Sequence, residues 1–149
     1  MAVQFRNLTT TWDDPIELWP YEAVVTTLER GLVSDWQPIL REISQRPFGR
    51  IARYISQYAS APDDPRVAAF FTEALRRAQH AQEDSERDEV ISRIRHSLET
   101  SELSQADFAK EIGTSASRLS TYLSGQVMPS AAMLVRIENV GVAHTYASG

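Results

Sequence analysis

The sequence predicts an all-α protein built in two helical parts. Three observations carry that expectation. From Tyr21 onward apolar residues recur at three- and four-residue spacing rather than alternating. Gly, Pro, Ser and Asp fall where those runs would start and stop. A polar stretch, RRAQHAQEDSERDE from Arg76 to Glu89, contains no Gly or Pro and separates two apolar regions; its helix formers predict a helical connection. At 149 residues the chain can hold one domain or two very small ones.

Taken in order, residues 1–20 read as irregular. Val3, Phe5 and Leu8 hint at a short strand, but Asp14-Pro15 and Trp19-Pro20 break it. Tyr21, Val24, Val25 and Leu28 form the first helical face, with Gly31 as its stop. Ser34 is placed to cap a second helix whose face is Trp36, Ile39, Leu40 and Ile43; Pro38 sits near the first turn, where it is tolerated. Arg46-Pro47 ends it. A third helix carries Phe48, Ile51, Ala52 and Ile55. Pro65 suits the first position of a fourth, with Val67, Phe70, Phe71, Ala74, Leu75 and Ala78 inward. That helix either runs on to about Thr100 or breaks near Asp84-Ser85. The expected division is a helical bundle over 1–80, a helical connector over 81–87, a second helical domain over 88–142 and a tail over 143–149.

Composition excludes several functions. Hydrophobic content of 42% with 23% charged residues argues against disorder. The absence of cysteine removes disulfides, thiolate metal sites and thiol nucleophiles. His80, His96 and His144 are too far apart to form a helical metal pair. Asp13, Asp14, Glu17, Glu22 and Asp35 read as loop caps and solvated side chains, and Trp12, Trp19 and Trp36 as packing residues. There is no Gly-rich phosphate loop and no Ser/His/Asp set. The expectation is a non-enzyme without cofactor or metal. No apolar run approaches the roughly 20 residues that span a bilayer, and the first residues lack a signal pattern, so a cytoplasmic location is expected.

The net charge is −5. Residues 1–87 carry 13 acidic and 10 basic side chains, residues 88–149 carry 7 and 5. Neither half is a polycation, which argues against tight non-specific binding to nucleic acid.

The informative stretch is LSQADFAKEIGTSASRLSTYLSG, Leu103 to Gly125. Ser104 can cap a helix, with Asp107 at the capping-box position. Phe108, Ala109 and Ile112 give that helix an apolar side. Gly113 stands where positive φ is wanted. Ser115 can cap a second helix with Leu119, Tyr122 and Leu123 inward. The few residues between the helices force a sharp crossing, and Ala109 is small enough to permit it.

With Met128-Pro129-Ser130 and an apolar helix from Ala131 to Val140, this segment resembles the DNA-binding domain of the Cro/CI repressor-like (Xre) family. The resemblance covers about residues 88–142. It rests on Leu103-Ser104-Gln105, Ala109, Gly113, Thr114-Ser115, Leu119, Gly125 and Pro129-Ser130, with Val90, Ile91, Ile94 and Leu98 fitting the family's first helix. It implies a lambda-repressor-like five-helix fold that binds double-stranded DNA. The family's third helix enters the major groove, so Ser115, Ala116, Ser117, Arg118 and Thr121 are the implied base readers. Gln105, Thr114, Gly125, Gln126 and Ser130 are the implied backbone contacts. Residues 104–124 depart from a basic reading face: Asp107, Lys110, Glu111 and Arg118 cancel. Specificity then needs two half-sites, DNA shape or backbone amides; a dimer doubles the contacts, and the expected protein is a homodimeric repressor, including of its own operon, with moderate salt sensitivity. The first half is left with two roles, dimerisation or binding a partner. The order of the two parts resembles some antitoxins, and also small actinobacterial regulators; the alternative reading is an antitoxin that masks a toxin protein through its first half.

Overall fold

The computed structural model describes residue 5 and residues 9–147. Among them are seven α-helices and no strand: α1 (Tyr21–Arg30), α2 (Gln37–Gln45), α3 (Arg50–Ser60), α4 (Pro65–Ser101), α5 (Gln105–Ile112), α6 (Ala116–Leu123) and α7 (Ala131–Ala147). Short 3-10 turns span Ile16–Leu18 and Val33–Trp36. Val3 and Leu8 of the expected strand lie outside the described residues; Phe5 sets its ring edge-on to Trp19 at 5.1 Å.

The chain forms two compact units, Met1–Gln82 and Glu83–Gly149. The division falls inside α4, which runs unbroken for 37 residues. The break considered at Asp84-Ser85 does not occur, because nothing between Pro65 and Ser101 denies the backbone its hydrogen bonds.

In the first unit the apolar faces of α1 to α3 and the start of α4 share one core. Trp19, Val24, Leu28, Ile39, Ile43, Ile55 and Phe71 are its largest fully buried side chains. Trp19 and Trp36 pack there and keep their indole N–H groups paired, with the carbonyls of Asp14 (3.0 Å) and Thr27 (3.1 Å). Asp64 Oδ1 accepts the N–H of Arg66 (3.0 Å), and Pro65 opens α4.

Two details correct the sequence reading. Ser34 does not cap α2. It lies inside the 3-10 turn, where Asp35 Oδ2 accepts the N–H of Leu32 at 2.7 Å; the charged oxygen is the stronger acceptor. Phe48 does not join the face of α3. The turn closed by the Gly49 N–H on the Arg46 carbonyl delays the helix to Arg50, and Phe48 stays half-exposed. The acidic side chains act as caps where they were read so: Asp14 Oδ2 takes the Thr11 N–H at 2.7 Å.

The second unit is built on Ile94, Phe108, Ala109, Ile112, Leu119, Tyr122 and Ile137, with Val90, Leu98 and Leu134 against them. It holds four helices among the described residues, not five. α7 continues without a breaker through Ala147, so residues 143–147 are helix rather than tail. Gly141 does not interrupt α7 but lets it approach α4: a Cβ there would lie 2.9 Å from Ser97 Cα. An ion pair, Arg93 to Glu138 (2.6 Å), and a polar contact, His144 Nε2 to the Glu111 carboxylate (3.0 Å), fasten α7. The sequence reading had assigned His144 nothing.

Candidate nucleic-acid interface

The pair α5–α6 is set by its caps. Ser104 Oγ accepts the N–H of Asp107 at 3.1 Å. The capping box is altered: the Asp107 carboxylate takes the Ser104 hydroxyl (2.9 Å), a shorter reach than the Glu of a full box makes to the backbone. Gly113 ends α5 with φ of +79°, and the Thr114 N–H closes on the Ala109 carbonyl at 2.9 Å. Arg136, from α7, donates to the last carbonyl of α5, Ile112, at 3.0 Å. Ser115 then caps α6 by accepting the Arg118 N–H at 3.0 Å. Ala109 is buried at the crossing.

The residues expected to read bases sit on the exposed start of α6, and their side chains are not equivalent. Ala116, Ser117 and Arg118 are exposed, Thr121 is half-buried. Ser115 Oγ accepts the Arg118 N–H as its cap, and its O–H is left to donate. Thr121 donates its hydroxyl to the Arg118 carbonyl at 2.6 Å, which leaves it only as an acceptor. Arg118 packs on the Tyr122 ring, its guanidinium carbon 5.8 Å from the centroid, and Nε makes a long hydrogen bond of 3.5 Å to Tyr122 Oη.

The expected backbone contacts divide similarly. Gln105 and Gln126 are exposed. Gln105 lies in the first turn of α5, where helix amides face an anion. Thr114 keeps its side chain for any contact, because its amide is used in the turn. Ser130 caps α7, accepting the Met133 N–H at 3.1 Å. Gly125 differs from these. It is buried with φ of +76°, its N–H bonds to the Tyr122 carbonyl at 3.1 Å, and a Cβ there would lie 2.7 Å from Ile91 Cδ1. It packs the end of α6 against α4, and its amide is used within the protein.

Sequence reasoning missed Tyr122 as anything but core, and Arg136 altogether. The spacing of Arg118 and Tyr122, four apart on a helix, was the available signal. Arg136 reaches a turn 24 residues away, which no local pattern announces.

Two short helices joined by the turn at Gly113, with the second presenting a capped, exposed first turn, make this unit a helix-turn-helix head. Residues 94–140 match the Helix-turn-helix family model, and this segment is a Cro/CI-type, Xre-like helix-turn-helix at the C-terminal side of the chain, the domain type of DNA-binding transcriptional regulators. No curated protein and no solved structure matches the chain. Among the described residues no helix is long and apolar enough to cross a membrane, and no group of His, Cys, Asp or Glu could hold a metal ion.

Proposed function

We infer that the protein is a sequence-specific DNA-binding repressor that acts in the cytoplasm as a homodimer, on its own operon among others. The observation that carries this is the exposed first turn of α6, capped by Ser115 and held by α5 at the crossing of a helix-turn-helix. On this reading Ala116, Ser117 and Arg118 enter the major groove, with Gln105 at the phosphates. One head with so few cationic side chains binds weakly; two heads on a two-fold axis double the contacts and demand half-sites one helical turn, about 34–36 Å, apart.

The test is selection of duplex DNA from a random library by the purified chain, beside an Arg118→Ala, Ser117→Ala double variant. Enrichment of a palindrome by the wild type, lost in the variant, is the expected result. Enrichment of nothing at moderate salt refutes the reading.

A second reading, an antitoxin, draws support from the first unit. Leu32 and Val33 are exposed there, and Phe70 is half-exposed with its ring 5.6 Å from Trp36. Exposed aromatic and aliphatic side chains of this kind suit a protein partner. A toxin that co-purifies with the chain and is released by Phe70→Asp would favour this reading; isolation of the chain alone favours the plain repressor.

A further inference from the structure

Among the side chains at the start of α6, Arg118 is held at three points. Its N–H is bound by Ser115 Oγ (3.0 Å), its carbonyl receives the Thr121 hydroxyl (2.6 Å), and its guanidinium lies against Tyr122. The holders are themselves fixed. Tyr122 is buried in the core of the unit at 5% exposure, and Ser115 follows the turn that Gly113 closes. The contact to Tyr122 uses Nε. It leaves the two terminal nitrogens of the guanidinium, which form the fork that pairs with two acceptors in one plane.

We propose that Arg118 is a pre-organised reader of one guanine in each half-site, and that Tyr122 is the positioning residue that aims it. This rests on the reading of α6 as the groove helix. Guanine is the base whose major-groove edge offers two acceptors side by side, N7 and O6, and a bidentate arginine fits it. A free arginine side chain loses rotamer freedom when it binds. Lying within cation–π reach of a buried ring and bonded, at 3.5 Å, through Nε, this one has lost part of that freedom already. Ser115 and Thr121 then serve as holders of Arg118 more than as readers, so base discrimination concentrates at one position instead of spreading over the five residues of the exposed turn.

The test uses the full chain and the duplex selected by the wild type, with a series in which each base pair of the half-site is replaced in turn. For the wild type, replacing one guanine pair weakens binding about tenfold to hundredfold. For Arg118→Ala the same replacement has no effect. Arg118→Lys, a point charge without the fork, keeps affinity for duplex lacking that guanine but weakens the preference. Tyr122→Phe keeps the ring in the core and removes the oxygen. It lowers the discrimination at that one base pair by about two- to tenfold, with the melting temperature unchanged and binding to the substituted duplexes unchanged. A purely structural Tyr122 would lower affinity for every duplex alike or lower the melting temperature. That result, or full discrimination in Tyr122→Phe, overturns the aiming role. A wild-type preference untouched by Arg118→Ala overturns the guanine assignment while the DNA-binding reading stands. Failure of the wild type to enrich any sequence overturns both.

Discussion

Gly113 and Gly125 both take positive φ, +79° and +76°, but only one of them is also crowded. Substituting alanine at each therefore separates backbone strain from packing. At Gly113 a Cβ meets nothing closer than Arg136 Nη1 at 3.5 Å, an ordinary contact. The cost is the left-handed conformation alone, about 1–2 kcal/mol, less the entropy that alanine removes from the unfolded chain, about 0.4–1 kcal/mol. Gly113→Ala should destabilise the second unit by roughly 1 kcal/mol on that balance. At Gly125 the same strain is joined by an overlap, since the Cβ lies 2.7 Å from Ile91 Cδ1. Overpacking of this kind costs about 1–3 kcal/mol, at the low end here because the crowded atom ends a side chain that can turn. Gly125→Ala should therefore cost about 2 kcal/mol. Ile91→Val removes Cδ1, so in the double variant the two changes should fall short of additivity by about 1 kcal/mol. The assay is amide hydrogen exchange of α5 and α6 in the full chain. Tryptophan fluorescence is blind to this unit, because Trp12, Trp19 and Trp36 all lie in the first. Equal costs at the two glycines, or strict additivity of Gly125→Ala with Ile91→Val, would refute the reasoning.

Two further outcomes follow from the packing and the charges. Gly141→Ala should lower the melting temperature although alanine is the better helix former, since its Cβ would lie 2.9 Å from Ser97 Cα and 3.1 Å from Ser97 O; those are backbone atoms, so Ser97→Ala should not restore it, and a rescue would show that the side chain alone was in the way. The carboxyl of Glu73, hydrogen-bonded by Arg76 and then Arg77, is held down at about 2. With its folded value below the ordinary 4.5, the stability it contributes is present above pH 4.5 and is lost as the pH falls through about 2. A carboxyl titration by NMR should place the midpoint there in low salt and move it up in Arg76→Gln, while added salt weakens the effect of this exposed group.

How much of this was legible depended on how local the cause was. The caps at Ser104 and Ser115, the positive φ at Gly113 and the inward set Phe108, Ala109, Ile112 and Leu119 are decided within a few residues, and sequence pattern reaches that far. The failures lie where the deciding atom is distant. The crowding of Gly125 by Ile91, 34 positions earlier, has no sign in the local pattern. Gly141 sits in an apolar run with no local mark, yet it is the point of close approach to α4. Phe48 had the right spacing for the face of α3, and a turn closed by Gly49 moved the helix start past it. Among the site residues, exposure on α6 was legible, while the internal bond of Thr121 to the Arg118 carbonyl was not, because a hydroxyl on a helix surface can face either way.

An acidic chain with an acidic polymer as its proposed ligand needs the attraction to be local. Cations of the second unit are partly committed within the protein: Arg93 to Glu138, Arg136 to the end of α5. Arg118 is the cation left on the exposed start of α6, and its one side-chain partner is the neutral Tyr122. The few phosphate contacts this allows predict a shallow dependence of affinity on salt, since each neutralised phosphate adds about 0.9 to the slope. They also predict weak binding to arbitrary duplex, for the same reason. Discrimination must then come from base edges and from paired half-sites rather than from a cationic sheath, so the ratio of specific to non-specific affinity can be high while neither affinity is. Selection against competitor DNA reads that ratio directly, and a steep salt dependence in the wild type would contradict the charge distribution of the whole second unit.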